Sequence, residues 1–166
     1  MRIDPDSKTK RRKTMDKHGI VILADNPKKA DEISAAFEKS GRFTILGKTS
    51  DGEEGVGLIL KTEAEYAVVD LILSGLDGLG VLDRLSAYRS KTKIIVYTSL
   101  SSEEVVETCI SKGAAFYVAK PCPTETLVNR VIDLFLNGNR ENLPSGTRIA
   151  KTTSLDERIS KIFISV

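Results

Sequence analysis

Five times between Gly19 and Phe135, a short apolar run is followed by a stretch whose apolar residues recur at helical spacing. That alternation leaves few folds open. Runs such as Gly19–Ala24 and Tyr66–Val69 carry no charged residue, as strands covered on both faces must. Strands of this kind, each followed by a helix, belong in a parallel sheet enclosed between two helix layers. With crossovers of one hand, five units most simply give the doubly wound order 2-1-3-4-5. The expected fold class is therefore α/β: a doubly wound, five-stranded parallel sheet with helices on both faces.

The strands expected are Gly19–Ala24, Phe43–Leu46, Tyr66–Asp70, Lys93–Tyr97 and Ala115–Ala119. Pro27 suits the first turn of a helix carrying Ala30, Ile33, Ala36 and Phe37, which Ser40-Gly41 ends. Asp51 is placed to cap a second helix with Val56, Ile59 and Leu60, weakened by glycines 52, 55 and 57. Leu79, Val81, Leu82 and Leu85 mark the third. Ser101 or Ser102 caps the fourth, which Gly113 closes, and Thr124 caps the fifth, which buries Leu127, Val128, Val131, Ile132 and Phe135.

Hydrophobic residues make up 40% of the 166, enough for a core, yet no apolar run approaches the length of a membrane span or a signal peptide. A cytoplasmic protein with no membrane contact is expected. Cys109 and Cys122 have no metal or redox spacing and read as small half-buried residues. Charge divides the chain. Residues 18–138 hold 13 Lys/Arg and 17 Asp/Glu, a net −4, while residues 1–17 carry +4 and residues 139–166 carry +2. We expect a basic disordered tail over 1–17, one domain over 18–138, a linker over 139–152 rich in Asn, Gly and Pro, and over 153–166 a short amphipathic helix or the start of a further domain. The run Lys8–Lys13 reads as a solvated tail, since no aromatic residue accompanies it.

In an open parallel sheet, ligands bind beyond the carboxyl ends of the strands, where the strand order reverses. Those ends here are Asp25, Asp70, Thr98-Ser99 and Lys120. Two facing carboxylates repel each other and favour a divalent cation between them, and oxygen ligands with partial hydration suit Mg²⁺. A carboxylate can attack phosphorus to give an acyl phosphate, with the metal and a lysine offsetting charge on the phosphoryl oxygens. In that chemistry Asp70 is the nucleophile, Asp25 a metal ligand, Thr98 a hydroxyl that bonds the attached phosphoryl group, and Lys120 the counter-charge. Alone, an Asp after a strand is usually a turn residue and a Lys is usually solvated. Four such groups at four strand ends of one fold are harder to obtain by accident.

The segment from Val68 to Leu82, with Asp70 and Asp77-Gly78, resembles the phosphorylation-site segment of two-component response regulator receiver domains. Tyr97-Thr98-Ser99 is similar to that family's switch-hydroxyl segment, and Gly113–Pro121 to its fifth-strand signature. The resemblance spans residues 19–137. Within the family, the wording around Asp70 is most similar to the regulators of endospore initiation, and residues 153–163 resemble the opening of their DNA-binding domain. The chain would stop before any recognition helix, so DNA binding by this chain alone is not expected.

The resemblance implies Asp70 as phosphoacceptor, Asp25, Asp70 and the backbone carbonyl of Ile72 as Mg²⁺ ligands, and Thr98 and Tyr117 as switch residues. It also implies a cis Lys120-Pro121 bond, a histidine kinase or histidine phosphotransfer protein as phosphodonor, and homodimerisation or partner binding through the fourth helix, fifth strand and fifth helix. Such a domain catalyses its own phosphorylation and dephosphorylation and is not otherwise an enzyme. Tyr117 fits equally well as an aromatic packed against the fourth helix. Two departures stand out. Ala24 replaces the first of two adjacent acids, which weakens the expected metal site. Ser74 replaces a proline, which with Gly75 suggests a looser loop after the third strand.

Two other functions share the fold. In a phosphorylation-independent pseudo-receiver, a protein-interaction module, Asp70 would never be modified, and Ala24 favours that alternative. An aspartate-nucleophile phosphatase would need a second Asp at the position of Ile72. A flavodoxin-like cofactor binder would need a phosphate cradle that Asp25-Asn26-Pro27-Lys28 does not offer.

Overall fold

A computed structural model describes residues 16–138 and the backbone of 148–149. Its elements are β1 (His18–Leu23), α1 (Pro27–Lys39), β2 (Phe43–Thr49), α2 (Gly52–Thr62), β3 (Tyr66–Val69), α3 (Gly78–Ala87), β4 (Lys93–Thr98), α4 (Glu103–Ser111), β5 (Phe116–Ala119), α5 (Thr124–Val131) and β6 (Arg148–Ile149). The five parallel strands stand in the expected order, β2-β1-β3-β4-β5. The expected N-terminal tail up to residue 15, most of the linker, and the stretch 153–166 lie outside the described residues.

Strand alternation divides the core into two layers. Ile20, Ile22, Tyr66, Val68, Ile95, Tyr97, Phe116 and Val118 pack with Ile33 and Phe37 of α1 and Leu127 and Val131 of α5. Val21, Leu23, Ala67, Val69, Ile94, Val96 and Tyr117 pack with α2, α3 and α4 through Ile59, Leu82, Leu85, Val106 and Ile110. Both faces are covered, which is why these runs lack an in–out alternation of polarity.

Three details differ from the sequence reading. First, β2 runs to Thr49, three residues past the apolar stretch. Ile45 pairs with Ile20 and Gly47 with Val21, so Leu46 is an extra residue in the ladder. Burial still alternates as far as Thr49, and the strand outruns the apolar stretch because Gly47, Lys48 and Thr49 are not large apolar residues. Second, α5 is preceded by Pro123 rather than capped by Thr124, and no side chain caps it. Pro123 O accepts from the Leu127 N–H at 3.0 Å, the first backbone bond of the helix, as the cap carbonyls of the other helices do. The helix then widens into a π-helical turn over Ile132–Leu136. Third, β6 adds two residues antiparallel to β5, pairing Ile149 with Phe116 and Arg148 with Tyr117. No local pattern announces so short a strand.

Asp51 and Ser102 cap the helices expected of them, and Asn26 and Asp77, for which no capping role was expected, cap two more. Asn26, Asp51, Asp77 and Ser102 each accept from a backbone N–H in the first turn of α1, α2, α3 and α4. Gly52, which weakens α2 by propensity, is required by packing, because a Cβ there would lie 1.8 Å from the Leu76 carbonyl oxygen. The helix thereby lies directly against the β3–α3 loop.

Candidate functional site: an acid pocket at the strand switch point

Parallel pairing of β3 with both β1 and β4 sets the pocket. β1 leads through Ala24 to Asp25, and the Asp70 N–H donates to Leu23 O at 2.9 Å, so the two carboxylates leave neighbouring strands one residue out of register. Asp70 is 2% exposed and Thr98 fully buried. A carboxylate so buried needs partners for both oxygens. Oδ1 accepts from the Thr98 hydroxyl at 2.8 Å and from the Ile72 N–H at 3.0 Å, and Oδ2 accepts from Lys120 Nζ at 2.7 Å. Lys120 Nζ also stands 3.8 Å from Asp25 Oδ1. One ammonium therefore spans both acids, which lie no further apart than those two distances together. The four residues drawn from four strand ends converge as the topology requires.

Lys120 is held from several sides. Its backbone N–H donates to Thr98 O at 2.8 Å, and the Lys120-Pro121 bond is cis, as the resemblance implies. Its Nζ lies 5.1 Å from the centre of the Tyr97 ring. The Tyr97 hydroxyl donates to the Cys122 carbonyl. The sequence reading gave Tyr97 no role. A polar aromatic on an otherwise aliphatic strand, directly before Thr98, is the signal that was available.

Tyr117 is buried in the layer that includes Val106, Cys109 and Ile110 of α4, and its hydroxyl donates to Leu100 O in the loop after Thr98. It thus joins β5 to the loop that carries the hydroxyl at the pocket. Cys109 lies in the same layer, where burial pushes its thiol up to about 11.

Two departures from the family pattern acquire geometry. Ala24 is 1% exposed and packs in the apolar layer with Ile20, Ile22, Ala30 and Ile33. No carboxylate stands there, and among the described residues no three His, Cys, Asp or Glu side chains form a metal cluster. Asp25 and Asp70 remain two hard oxygen donors within reach of one Lys120 ammonium, a donor chemistry that suits a cation keeping several waters, as Mg²⁺ does. The β3–α3 loop, expected to be slack, is tied to the β2–α2 turn. Ser50 O accepts from both the Ser74 N–H at 3.0 Å and the Ser74 hydroxyl at 2.9 Å, and Ser74 O accepts from the Gly52 N–H at 2.9 Å. Gly75 has φ +69° and a Cβ there would lie 3.0 Å from the Asp51 carboxylate, so glycine fits the turn on both counts.

A doubly wound sheet with two acids, a buried hydroxyl and a lysine at its switch point defines a receiver-type acid pocket. Residues 20–132 match the response regulator receiver domain family, and the chain belongs to it. It is 31% identical over 109 residues to a protein named as the probable C4-dicarboxylate response regulator DctR of Priestia megaterium, covering 65% of this chain and 47% of that one. It is 28% identical over 109 residues to the nitrate/nitrite response regulator NarL of Escherichia coli, covering 66% of this chain and 50% of that one. The chain spans about half the length of these curated relatives. The fold matches the signal receiver domain of NarL from Mycobacterium tuberculosis with a TM-score of 0.68 at 24% identity, over 72% of this chain and 96% of that one. These relatives are of the dicarboxylate and nitrate-regulator kind, not endospore regulators, so the narrower resemblance drawn from the Asp70 segment gives way to the family-level one. Among the described residues no helix is long and apolar enough to cross a membrane.

Proposed function

We propose that this chain is a phosphoacceptor receiver, modified on Asp70 by a histidine kinase or a histidine phosphotransfer protein in the cytoplasm. The observation that carries the proposal is the buried Asp70 carboxylate, bonded at once by Thr98 on one oxygen and Lys120 on the other. An Asp70 oxygen forms a bond to phosphorus as the P–N bond of a phosphohistidine breaks. The imidazole leaves with the bonding pair and takes up a proton, and the product is an acyl phosphate. Water later attacks phosphorus, which releases inorganic phosphate and restores the carboxylate. Lys120 stays within reach of the oxygens that gain charge, and Thr98 gives up its bond to Oδ1 to donate to the phosphoryl group. Mg²⁺, with Asp25, Asp70 and the Ile72 carbonyl as its protein ligands, would neutralise phosphoryl charge.

When Thr98 changes partner, the loop through Leu100 and the Tyr117 hydroxyl bonded to it are the groups placed to respond. The face formed by α4, β5 and α5 is the proposed output surface for a homodimer or a partner. Regulation of transcription, the role printed in the name of a relative from Pseudomonas aeruginosa, would need residues beyond the receiver domain. No separate metabolite is turned over.

The test is incubation with a small phosphodonor and Mg²⁺, read by intact mass. Wild type should gain the mass of one phosphoryl group and Asp70→Asn none. Label persisting on Asp70→Asn would overturn the site. An unlabelled wild type, under conditions that label an ordinary receiver, would overturn the reaction and leave the pseudo-receiver. One observation favours that second reading: Ala24 fills the place of an acid with a methyl group packed in the core.

A further inference from the structure

We propose that Tyr97 is a positioning residue for Lys120, its ring face holding the ammonium over the acid pocket while its hydroxyl fixes the loop that carries the lysine.

The segment Lys120-Pro121-Cys122 is fastened to β4 at both ends. Thr98 O accepts from the Lys120 N–H at 2.8 Å, and the Tyr97 hydroxyl donates to the Cys122 carbonyl. Adjacent residues of one strand thus grip residues 120 and 122, and the Lys120 side chain leaves from between the two grips. Tyr97 is itself 2% exposed, locked between α1 and α5 in the layer with Ile33, Phe37 and Leu127. It is a rigid mount rather than a surface ring.

The ring also bears on charge. Lys120 has 18% of its side chain exposed, and its Nζ has a close partner in Asp70 Oδ2 and a longer contact with Asp25. An acid is missing at Ala24. The negative face of an aromatic ring attracts an ammonium, more strongly as water is withdrawn. At 5.1 Å the Tyr97 face supplies part of the negative potential that the missing carboxylate does not. Burial raises the Tyr97 phenol above its ordinary range, and Lys29 opposes that shift, while Cys122, Glu32 and Asp70 reinforce it. The phenol thus remains a protonated donor to Cys122 O at neutral pH.

The consequence for phosphotransfer rests on the phosphoacceptor reading. The placement of Lys120 does not, and it can be measured by itself. In wild type the εCH₂ protons of Lys120 should resonate upfield of ordinary lysines because of the Tyr97 ring current. Tyr97→Phe should keep that shift. Tyr97→Leu should abolish it and raise the rate at which an amine-reactive reagent labels Lys120 by roughly fivefold, the factor that about 1 kcal/mol of cation–π attraction commands. If Asp70 accepts phosphate, its labelling rate should fall by a similar factor in Tyr97→Leu and recover at least in part in Tyr97→Phe. An ordinary Lys120 εCH₂ shift in wild type overturns the proposal, even if Tyr97→Leu fails to fold. So does a folded Tyr97→Leu with unchanged Lys120 resonances and labelling. An unphosphorylated wild type with the upfield shift present would refute the phosphoacceptor reading and leave the placement standing.

Discussion

Lys120→Met leaves a carboxylate in the core without its charge partner, and the size of the effect follows from the pocket. At 2.7 Å and an effective dielectric of about 20, the pair attracts by roughly 6 kcal/mol before desolvation is counted. Breaking a buried pair from one side typically costs about 3–5 kcal/mol. The low end applies here, because the Thr98 hydroxyl and the Ile72 N–H continue to donate to Oδ1 and the Lys120 side chain is 18% exposed. Lys120→Met is therefore expected to lose about 3 kcal/mol. Asp70→Asn loses less, about 1–2 kcal/mol, since the lysine, 18% exposed, keeps Asp25 at 3.8 Å and the amide oxygen still accepts from Thr98. The double variant should fall short of the sum, with a coupling of about 2 kcal/mol. Urea unfolding of the four proteins measures this, provided the slope of stability against urea is unchanged. Additivity within about 0.5 kcal/mol would refute the argument that Lys120 is the counter-charge of Asp70.

Four further outcomes are expected. Thr98→Ala removes a fully buried hydroxyl bonded to a carboxylate and should lower stability by about 1.5–3 kcal/mol, read by urea unfolding. Ala24→Asp restores an acid beside Asp25 and should tighten Mg²⁺ binding by roughly 10–100-fold in a metal titration followed by NMR, while lowering metal-free stability because the site is 1% exposed. Gly52→Ala drives a Cβ to 1.8 Å from Leu76 O and breaks the Gly52 N–H bond to Ser74 O, so a loss of about 2 kcal/mol or more and a clear drop in Tm are expected. Cys109, with its thiol raised from 9.0 to about 11, keeps its proton when folded after the unfolded chain has lost it. Its contribution to stability is present below pH 9 and is lost as pH rises towards about 11. Cys109→Ala should flatten that part of the unfolding curve against pH. An unchanged slope would assign the effect to Tyr66 and Tyr97, whose phenols burial raises in the same sense.

Local chemistry was sufficient for much of this. Charge-free runs fix strands covered on both faces, helical spacing fixes what joins them, and Asn26, Asp51, Asp77 and Ser102 are N-cap residue types at helix starts. From that alternation the strand order followed, and from the order the rim on which Asp25, Asp70, Thr98 and Lys120 meet. These signals are legible because a period or a cap involves residues within a few positions of one another.

What the chain alone could not decide involves partners far apart in sequence. The Ser74 loop is tied rather than slack because Ser50, 24 residues away, accepts from both its N–H and its hydroxyl. β2 continues past Leu46 because Gly47, Lys48 and Thr49 resume pairing with Val21, Ile22 and Leu23 beyond the bulge, and β6 exists only where it meets β5. Ala24 could be read as a missing ligand, but its burial beside α1 shows what that methyl group packs against. Lys120 reaches Asp70 across 50 residues and rests over Tyr97, 23 residues before it, because parallel strands bring β4 and β5 side by side. Sequence determined which groups stand at the rim, since strand ends are local. Tertiary structure decided which of them touch and in what order of strength, since those distances depend on pairing and packing across the whole sheet.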